Sequence, residues 1–498
     1  MDHDLAGDAE RFADYIESLS AAMGHLDRVQ PMKDYCTGLL LPGERKSVEP
    51  MAAIIAPAGV SAQHQSMLHL VGQAAWSDTA MLAKVRELVL PALERNGPVK
   101  AWIVDDTGFA KKGKHSVGVA RQYCGRLGKT DNCQIAVTLS VANHSASLPI
   151  AYQLYLPEIW ANDAARRAKA HVPDEVTFKT KPQIALEQIA AALAAGVAPG
   201  IVLADVGYGS DGGFRAGLTA LGLKYAVGVQ SNLSVWPPGM EPLPPKPWSG
   251  RGRKPSRLQR DADHAPVSAK DLALGLPAEA WREVAWREGS NDPLTSRFAA
   301  LKVRPASRDW KRCNPHPLEW LLIEWPSDEK EPTKYFLSTL PEDVSIEILV
   351  DTAKMRWRIE RDYEELKSEL GLAHFEGGAI QSRAGYGWDS TSDWILAMAA
   401  TKMSDEALLA FFEGHPELRD RMASIAGAVA NSGGGLEEAD AAEERLVEEM
   451  RLLGLEAMRG WALGRVAASE RETRLQAGMH RMGKKNSAGT RSSARSQS

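Results

Sequence analysis

The stretch that decides the fold is WIVDDTGFAKKGKHSVGVARQY, residues 102–123. Its apolar start predicts a buried strand, and two adjacent carboxylates, Asp105 and Asp106, follow at the predicted tip of that strand. Four basic residues come next along the chain: Lys111, Lys112, Lys114 and Arg121. Carboxylate oxygens bind hard divalent cations, and lysine and arginine bind phosphate, so the stretch indicates phosphodiester chemistry. A turn or a helix N-cap is the structural alternative for the two aspartates.

Helix and strand patterns alternate on either side of this stretch. Residues 1–97 place apolar side chains at helical spacing and predict a helical region, which the Gly97-Pro98 pair ends. Beyond it, apolar runs predict strands at 102–105, 134–142, 148–156, 200–205 and 225–229. Helices are predicted at 181–195 and 214–221. Strands that alternate with helices predict an α/β fold class, with the first part of the core at 98–231.

The second half of the chain predicts three further regions. Residues 232–335 begin with a proline-rich and then basic stretch at 237–268, which predicts a loop or linker, and strand patterns follow near 298–303 and 320–324. A further strand is predicted at 335–338 and a long helix at 344–370. Residues 378–498 predict a helical region with a basic, disordered tail.

Composition narrows the class of protein. The 498 residues suffice for several domains, and no apolar stretch is long enough to span a membrane. The acidic N-terminus lacks an apolar signal core, and four scattered cysteines argue against a disulfide framework or a zinc site, so we expect a cytoplasmic protein. The net charge of −5 does not by itself indicate a nucleic-acid binder, but an average can hide a local basic footprint, and basic stretches lie near 111–129, 251–260, 356–367 and 481–495.

Two further carboxylates are candidates for the same site. Asp205 follows a second apolar run, and the carboxyl ends of neighbouring strands converge on one crevice. Glu360 lies on the predicted long helix, on one face with Arg356, Tyr363 and Lys367. Carboxylates on three elements predict a two-metal site for in-line displacement at phosphorus. A helix cap for Asp205 and a surface salt bridge between Arg356 and Glu360 are the structural alternatives.

The chain resembles the DDE transposases of bacterial insertion sequences, and among them the IS701 group of the broader IS4-like set. The resemblance covers about residues 10–377. Four stretches carry it: WIVDDTGFAKKGKHSVGVARQYCGRLGKTDNCQ (102–134), VLADVGYGSDGGFR (202–215), YFLSTLP (335–341) and RWRIERDYEELKSELGLAHFEG (356–377). The resemblance implies a ribonuclease-H-like catalytic core, at 98–231 and 336–377, that is interrupted before its last helix by a β-rich insertion of about residues 232–335.

The resemblance also implies roles for single residues. Asp105, Asp205 and Glu360 match the catalytic triad, and Asp105 is preferred to Asp106 because the wider set reads Asp-x-Thr or Asp-x-Ser there. Asp106 remains the alternative metal ligand at that position. Arg356 and Lys367 match a Tyr–Arg–Glu–Lys signature, whose tyrosine position is Ala353 in this chain.

The implied reaction is metal-dependent cleavage at transposon ends followed by strand transfer into target DNA. Two Mg²⁺ ions per active site, which Mn²⁺ can replace, would bind to the carboxylates. The implied partners are the terminal inverted repeats, target DNA and a second copy of the chain in the DNA complex, at the bacterial nucleoid. No membrane partner is implied.

Two regions outside the triad are candidates for contact with DNA. Arg251, Arg253 and Lys254 resemble a basic hook that inserts into the minor groove, and a solvated basic linker is the alternative. The helices of residues 1–97 are a predicted DNA-binding region in the manner of a helix-turn-helix, or they pack only as a bundle.

The sequence departs from the family pattern after Gly377. We hypothesise a frame disruption or fusion there, with disorder beyond it. Two rival functions remain at this point: a catalytically inactive remnant that only binds DNA, and a metal-dependent phosphoesterase that acts on small substrates.

Overall fold

The structure, a computed structural model, describes residues 5–41, 45–288 and 293–368 of the chain. The predicted C-terminal region at 378–498, and with it the hypothesis of a frame disruption, lies outside the described residues. By its internal contacts the chain divides into two units, Asp14–Thr401 and the combination of Met1–Ala13 with Lys402–Ser498. Every site discussed below belongs to the first unit.

The N-terminal region is helical, as the apolar spacing predicts. Its helices are α1 (Leu5–Ser20), α2 (Val29–Leu40), α3 (Val48–Ile55), α4 (Val60–Gly72) and α5 (Asp78–Arg95). Ile16, Leu19 and Met23, which repeat at helical spacing, are all buried. Helices α2, α3 and α4 pack on one another.

The core of the chain is a mixed sheet with helices along it. Its strands are β1 (Ala101–Ala110), β2 (Ala120–Cys124), β3 (Lys129–Ala142), β4 (Ser147–Leu154), β5 (Ile201–Ala204) and β6 (Tyr225–Val229). The helices between them are α6 (Glu158–Ala161), α7 (Ala164–Lys169), α8 (Lys181–Ala194), α9 (Val206–Gly209) and α10 (Gly212–Ala220). Strand β3 pairs antiparallel with β4 and β1, whereas β1, β5 and β6 run parallel to one another. The α/β fold class is therefore confirmed.

The insertion continues this sheet. Its elements are β7 (Ser234–Trp236), β8 (Val267–Ser268), α11 (Ala269–Leu274), β9 (Arg282–Glu288), β10 (Pro293–Pro305), β11 (Glu319–Trp325) and β12 (Lys334–Ser338). Strand β12 pairs antiparallel with β6 on one side and with β11 on the other. The sheet order from β6 is β6–β12–β11–β10–β7–β8, so the core and the insertion share one hydrogen-bonded sheet.

The predicted helix at 344–370 is wrong as a single element. The structure has α12 (Ile346–Lys354) and α13 (Trp357–Ser368), with a turn at Met355 and Arg356 between them. Backbone bonds of the i to i+3 type, Arg358 N–H to Met355 O and Ile359 N–H to Arg356 O, tighten the chain at that point. Arg356 therefore precedes the helix that carries Glu360.

Helix α13 docks on the sheet through one buried face. Met355, Ile359 and Leu366 are buried along this face, and so is Tyr363, which was expected on one face with Glu360. The Tyr363 hydroxyl is hydrogen-bonded to Thr138 Oγ1, and Thr138 Oγ1 donates to the backbone oxygen of Asp105 at 3.0 Å. The helix is thus fixed over the residue of β1 that begins the predicted site.

Candidate active site

Asp105 lies in the middle of β1, and its prediction at a strand tip is wrong. Strand β1 continues to Ala110 because β3 supplies antiparallel partners as far as Cys133, and Thr107, Gly108 and Phe109 are buried in that extension. The strand that does end here is its parallel neighbour β5, whose last residue, Ala204, is in register with Val104.

Val104 of β1 is paired with Ala204 of β5, and Asp105 and Asp205 are the residues that directly follow this pair. Asp205 directly follows β5 and caps α9, since its Oδ1 accepts hydrogen bonds from Gly207 N–H at 2.8 Å and Tyr208 N–H at 3.3 Å. Asp205 is therefore a helix cap, as the structural alternative proposed, but the cap uses only one of its two carboxylate oxygens. In the described part of the chain, Oδ2 of Asp205 has no hydrogen-bond partner and can accept a ligand.

Asp106 is engaged elsewhere. Successive strand residues point to opposite faces of a sheet, and Asp106 contacts α8 and α9 rather than Arg356. Its Oδ2 is paired with Lys181 at the start of α8, and its Oδ1 is hydrogen-bonded to the hydroxyl of Tyr208 in α9. Both carboxylate oxygens of Asp106 therefore have partners that tie helices to β1.

Arg356 links the first and third predicted carboxylates. Its Nη1 lies 3.1 Å from Asp105 Oδ2, and its Nη2 lies 2.6 Å from Glu360 Oε1. The predicted surface salt bridge between Arg356 and Glu360 is present, but the same guanidinium also reaches Asp105, which is 15% exposed. The turn before α13 makes this double contact possible, because it places Arg356 between the helix and β1.

The donor set of Asp105, Asp205 and Glu360 is one of oxygens, which suits a hard divalent cation. In the arrangement described, however, no three His, Cys, Asp or Glu side chains of the described residues lie close enough together to hold a metal ion. Arg356 is the cation that neutralises Asp105 and Glu360. Metal binding by all three carboxylates would therefore require the guanidinium to leave at least one of them.

The predicted DNA-binding residues other than Arg356 lie in the β1–β2 region, in the proline-rich loop and on α13. Lys112 and Lys114, in the loop after β1, and Arg121 in β2 are exposed, whereas Lys111 is half-buried. Arg251, Arg253 and Lys254 are exposed in the proline-rich loop and make no hydrogen bond to the described carboxylates of the site. Lys367 lies on α13, with its Nζ 5.7 Å from the Phe109 ring centroid and 5.6 Å from that of Tyr363.

Several residues of the site carry no signal in the sequence. Lys181 begins α8 after a Thr180 capping box, and only the fold brings it to Asp106. Tyr208 lies between Gly207 and Gly209, and its contact with a residue of β1 depends on the pairing of β1 with β5. Thr138 and Tyr363 depend likewise on the docking of α13.

Burial dominates the electrostatics of Asp105. It raises the pKa of this carboxyl from 3.8 to about 7; the Arg356 guanidinium opposes the shift, and the charges of Asp205 and Asp106 add to it. The folded chain therefore binds this proton more tightly than the unfolded chain does. The stability that the protonated carboxyl contributes is present below its ordinary pKa and is lost as the pH rises through about 7.

Asp105→Asn is therefore expected to stabilise the metal-free chain at alkaline pH. The gain in free energy of unfolding should be on the order of 2–4 kcal/mol at about pH 8 and should vanish toward about pH 4, where the native carboxyl is neutral. Urea denaturation of both chains in EDTA across this range measures the difference. A gain that does not change with pH would contradict the raised pKa.

Comparison with known proteins gives two matches. A model of the family described as "DDE superfamily endonuclease" matches residues 18–293, more than half of the chain, including Asp105, Asp106 and Asp205. The "Probable transposase for insertion sequence element IS701" of Microchaete diplosiphon is 33% identical over 190 residues, which are 38% of this chain and 46% of that protein. The match to this relative covers less than half of its length. The two matches together confirm the resemblance to the IS701 group. Among the described residues, no helix has the length and apolar character needed to cross a bilayer.

Proposed function

Because this chain belongs to the DDE superfamily endonucleases, we propose that it is a DNA transposase that cleaves the ends of an insertion sequence and joins them to target DNA. One observation carries the proposal. Asp105 and Asp205 follow the same register pair of two parallel strands, and Arg356 ties Asp105 to Glu360 on a third element. These contacts support a common role for three carboxylates that are far apart in sequence.

A ribonuclease-H-like arrangement of the core is part of the proposal. Its support is the strand order β4–β3–β1–β5–β6, in which β3 is antiparallel to its neighbours and β5 and β6 are parallel to β1. Gln188 of α8 donates to the backbone oxygen of Val137 in β3, and Tyr363 of α13 bonds to the side chain of Thr138, whose neighbours in the strand point to the opposite face. The proposed domains are the helical 1–97, the core of 98–231 and 336–377, the insertion of 232–335 and the C-terminal 378–498.

Asp105, Asp205 and Glu360 are the residues that would hold the metal. When bound, two Mg²⁺ ions, or Mn²⁺ in their place, activate the attacking oxygen and stabilise the leaving 3′-oxygen. Asp205 keeps one oxygen on the N-terminus of α9, which fixes the direction of the other. Asp106 is proposed to hold Lys181 and Tyr208 in place rather than to bind metal.

Arg356 is proposed to exchange partners when the site is loaded. A guanidinium binds phosphate as well as carboxylate, so release from Asp105 would make it available to the DNA backbone. Lys367, the lysines after β1 and the basic loop with Arg251, Arg253 and Lys254 would bind other phosphates. Their partners would be terminal inverted repeats and target DNA at the nucleoid, with a second copy of the chain in the complex.

Cleavage of a duplex that ends in the inverted repeats of the encoding element tests the proposal. We expect Mg²⁺-dependent nicking at the repeat end by the unaltered chain, and a loss on the order of 10³-fold in Asp205→Asn, because asparagine keeps the cap on α9 but lacks the charge that a metal requires. Asp211→Asn is the matched control, since Asp211 caps α10 through the same type of bond to Phe214 N–H. No cleavage by the unaltered chain, or equal cleavage by both variants, would overturn the proposal.

A further inference from the structure

The loop between β1 and β2 has no regular secondary structure, yet its backbone is held along its whole length. Five of the nine carbonyl oxygens of residues 111–119 accept a hydrogen bond from a side chain of another element. Loops usually satisfy their carbonyls with water or by local turns. This loop is instead held by hydrogen bonds to neighbouring elements, and it differs in this from a freely solvated segment of lysines.

Four side chains fasten the loop. On β3, Asn132 donates to Lys111 O at 2.5 Å and to Gly113 O at 2.8 Å, and Gln134 donates to Val117 O at 2.6 Å. From the helices that follow β4, Trp160 donates to Val119 O at 2.7 Å and Arg166 donates to Lys114 O at 2.8 Å.

Arg166 makes a solvent-exposed hydrogen bond to the loop. Its guanidinium stacks 3.7 Å from the ring centroid of Trp160, which is fully buried in an apolar cluster with Val117 and Val119 of the loop itself. The stacking holds the guanidinium in place, so the loop is supported at Lys114, within its exposed stretch 112–115.

The charges at this point of the loop are uncompensated. Lys112, Lys114 and His115 are exposed, and neither lysine forms an ion pair with any residue that the structure describes. When the backbone that carries two lysines is already held, binding an anion costs less conformational entropy than it would in a mobile loop. Two exposed lysines on a held backbone, in a chain whose net charge is −5, suit a polyanion such as the phosphate backbone of a duplex.

The position of the loop suits a duplex that leaves the active site. Lys111 is six residues after Asp105 in an extended strand, which places it roughly 20 Å away at about 3.3 Å per residue. A duplex advances about 3.4 Å per base pair, so the loop would meet phosphates about six nucleotides from the bond that is cut.

We propose that residues 111–115 form a preorganised phosphate-binding loop for duplex DNA, and that Arg166 is the positioning residue that keeps this loop in its binding conformation. The choice of DNA as the ligand rests on the proposed transposase function. Lys112 and Lys114 contact the phosphates, whereas Arg166 acts through the carbonyl of Lys114.

Salt-dependent binding of a short fluorescein-labelled duplex of arbitrary sequence tests the contacts. Lys112→Ala/Lys114→Ala should weaken binding and reduce the slope of log K against log salt by about 1.8, because each lost phosphate contact removes about 0.9. The matched control is Lys100→Ala/Lys224→Ala, which removes the same charge from exposed positions before β1 and β6, at the opposite end of the parallel strands. Equal slopes for the two double variants would overturn the inference.

Arg166→Lys tests the positioning role, since it keeps the charge but loses the planar group that stacks on Trp160 and reaches Lys114 O. We expect weaker DNA binding, faster trypsin cleavage after Lys112 or Lys114, and an unchanged midpoint of global unfolding. Wild-type affinity together with a wild-type cleavage rate in this variant would refute the role of Arg166. An unaltered chain that does not bind duplex DNA would instead refute the proposed function itself. A chain that cleaves DNA but binds it independently of Lys112 and Lys114 would refute only the inference about the loop.

Discussion

Asp105→Asn is expected to lower the rate of Mg²⁺-dependent DNA cleavage by at least about 10³-fold, whereas Asp106→Asn should lower it by only about 10–100-fold. The two side chains are adjacent in sequence but face different partners. Asp105 faces Asp205 and Arg356, at the place where β5 ends. Asp106 has both oxygens occupied by Lys181 and Tyr208.

The residual effect of Asp106→Asn has a separate physical cause. Tyr208 connects Asp106 to the turn in which Asp205 caps α9, so a weaker contact at Asp106 would shift the second carboxylate without removing a ligand. Single-turnover cleavage rates across a Mg²⁺ titration measure both variants. Excess metal should partly restore Asp106→Asn and should not restore Asp105→Asn. If the larger loss belonged to Asp106→Asn, the assignment of the ligand would have to be reversed.

Gly209→Ala is expected to give the largest loss of stability and, with it, of activity. Helix α9 lies directly on β6, and a β-carbon at Gly209 would stand 2.0 Å from the carbonyl oxygen of Gly228 and 2.9 Å from Cβ of Val227. Both obstacles belong to a central strand of the sheet, so α9 would have to move instead. Because Asp205 is the N-cap of α9, that movement would displace a proposed metal ligand.

The free energy of unfolding of Gly209→Ala should fall by about 3 kcal/mol, the upper part of the range for overpacking a core. Gly212→Ala is the matched control, since the nearest atom to its new β-carbon is Arg215 Nη2 at 3.9 Å and the site is exposed. We expect its stability to stay within about 0.5 kcal/mol of the native value. Urea denaturation of the two alanine variants compares them directly, and equal midpoints would mean that α9 can leave β6 at no cost.

Much of the core was predictable because its strands are buried apolar runs. The strand predicted at 225–229 is β6, and the helix predicted at 181–195 agrees with α8 to within one residue. The extension of β1 beyond Asp105 was not predictable, because Asp-Asp-Thr-Gly has a weak preference for strands and is held there by its pairing with β3. Local preference was overridden by a partner far away in sequence.

The break between α12 and α13 was hidden for a related reason. The residues around Arg356 include no glycine or proline, so nothing local signals the end of a helix. The three carboxylates could be named from the sequence, but the contact of Arg356 with Asp105 and the partners of Asp106 could not. Those contacts depend on which face of β1 each side chain occupies, and hence on the full length and register of that strand.

The pairing of β12 with β6 also determines how this protein could be shortened. Sheets are stabilised across their whole width, and removal of residues 232–333 would take away the strands that lie beyond β12. The backbone donors and acceptors of β12 that now pair with β11 would be left bare, as a template for pairing between molecules. A chain from which residues 232–333 are deleted should therefore aggregate during expression. The insertion is a structural part of the sheet and cannot be removed without exposing the edge of β12.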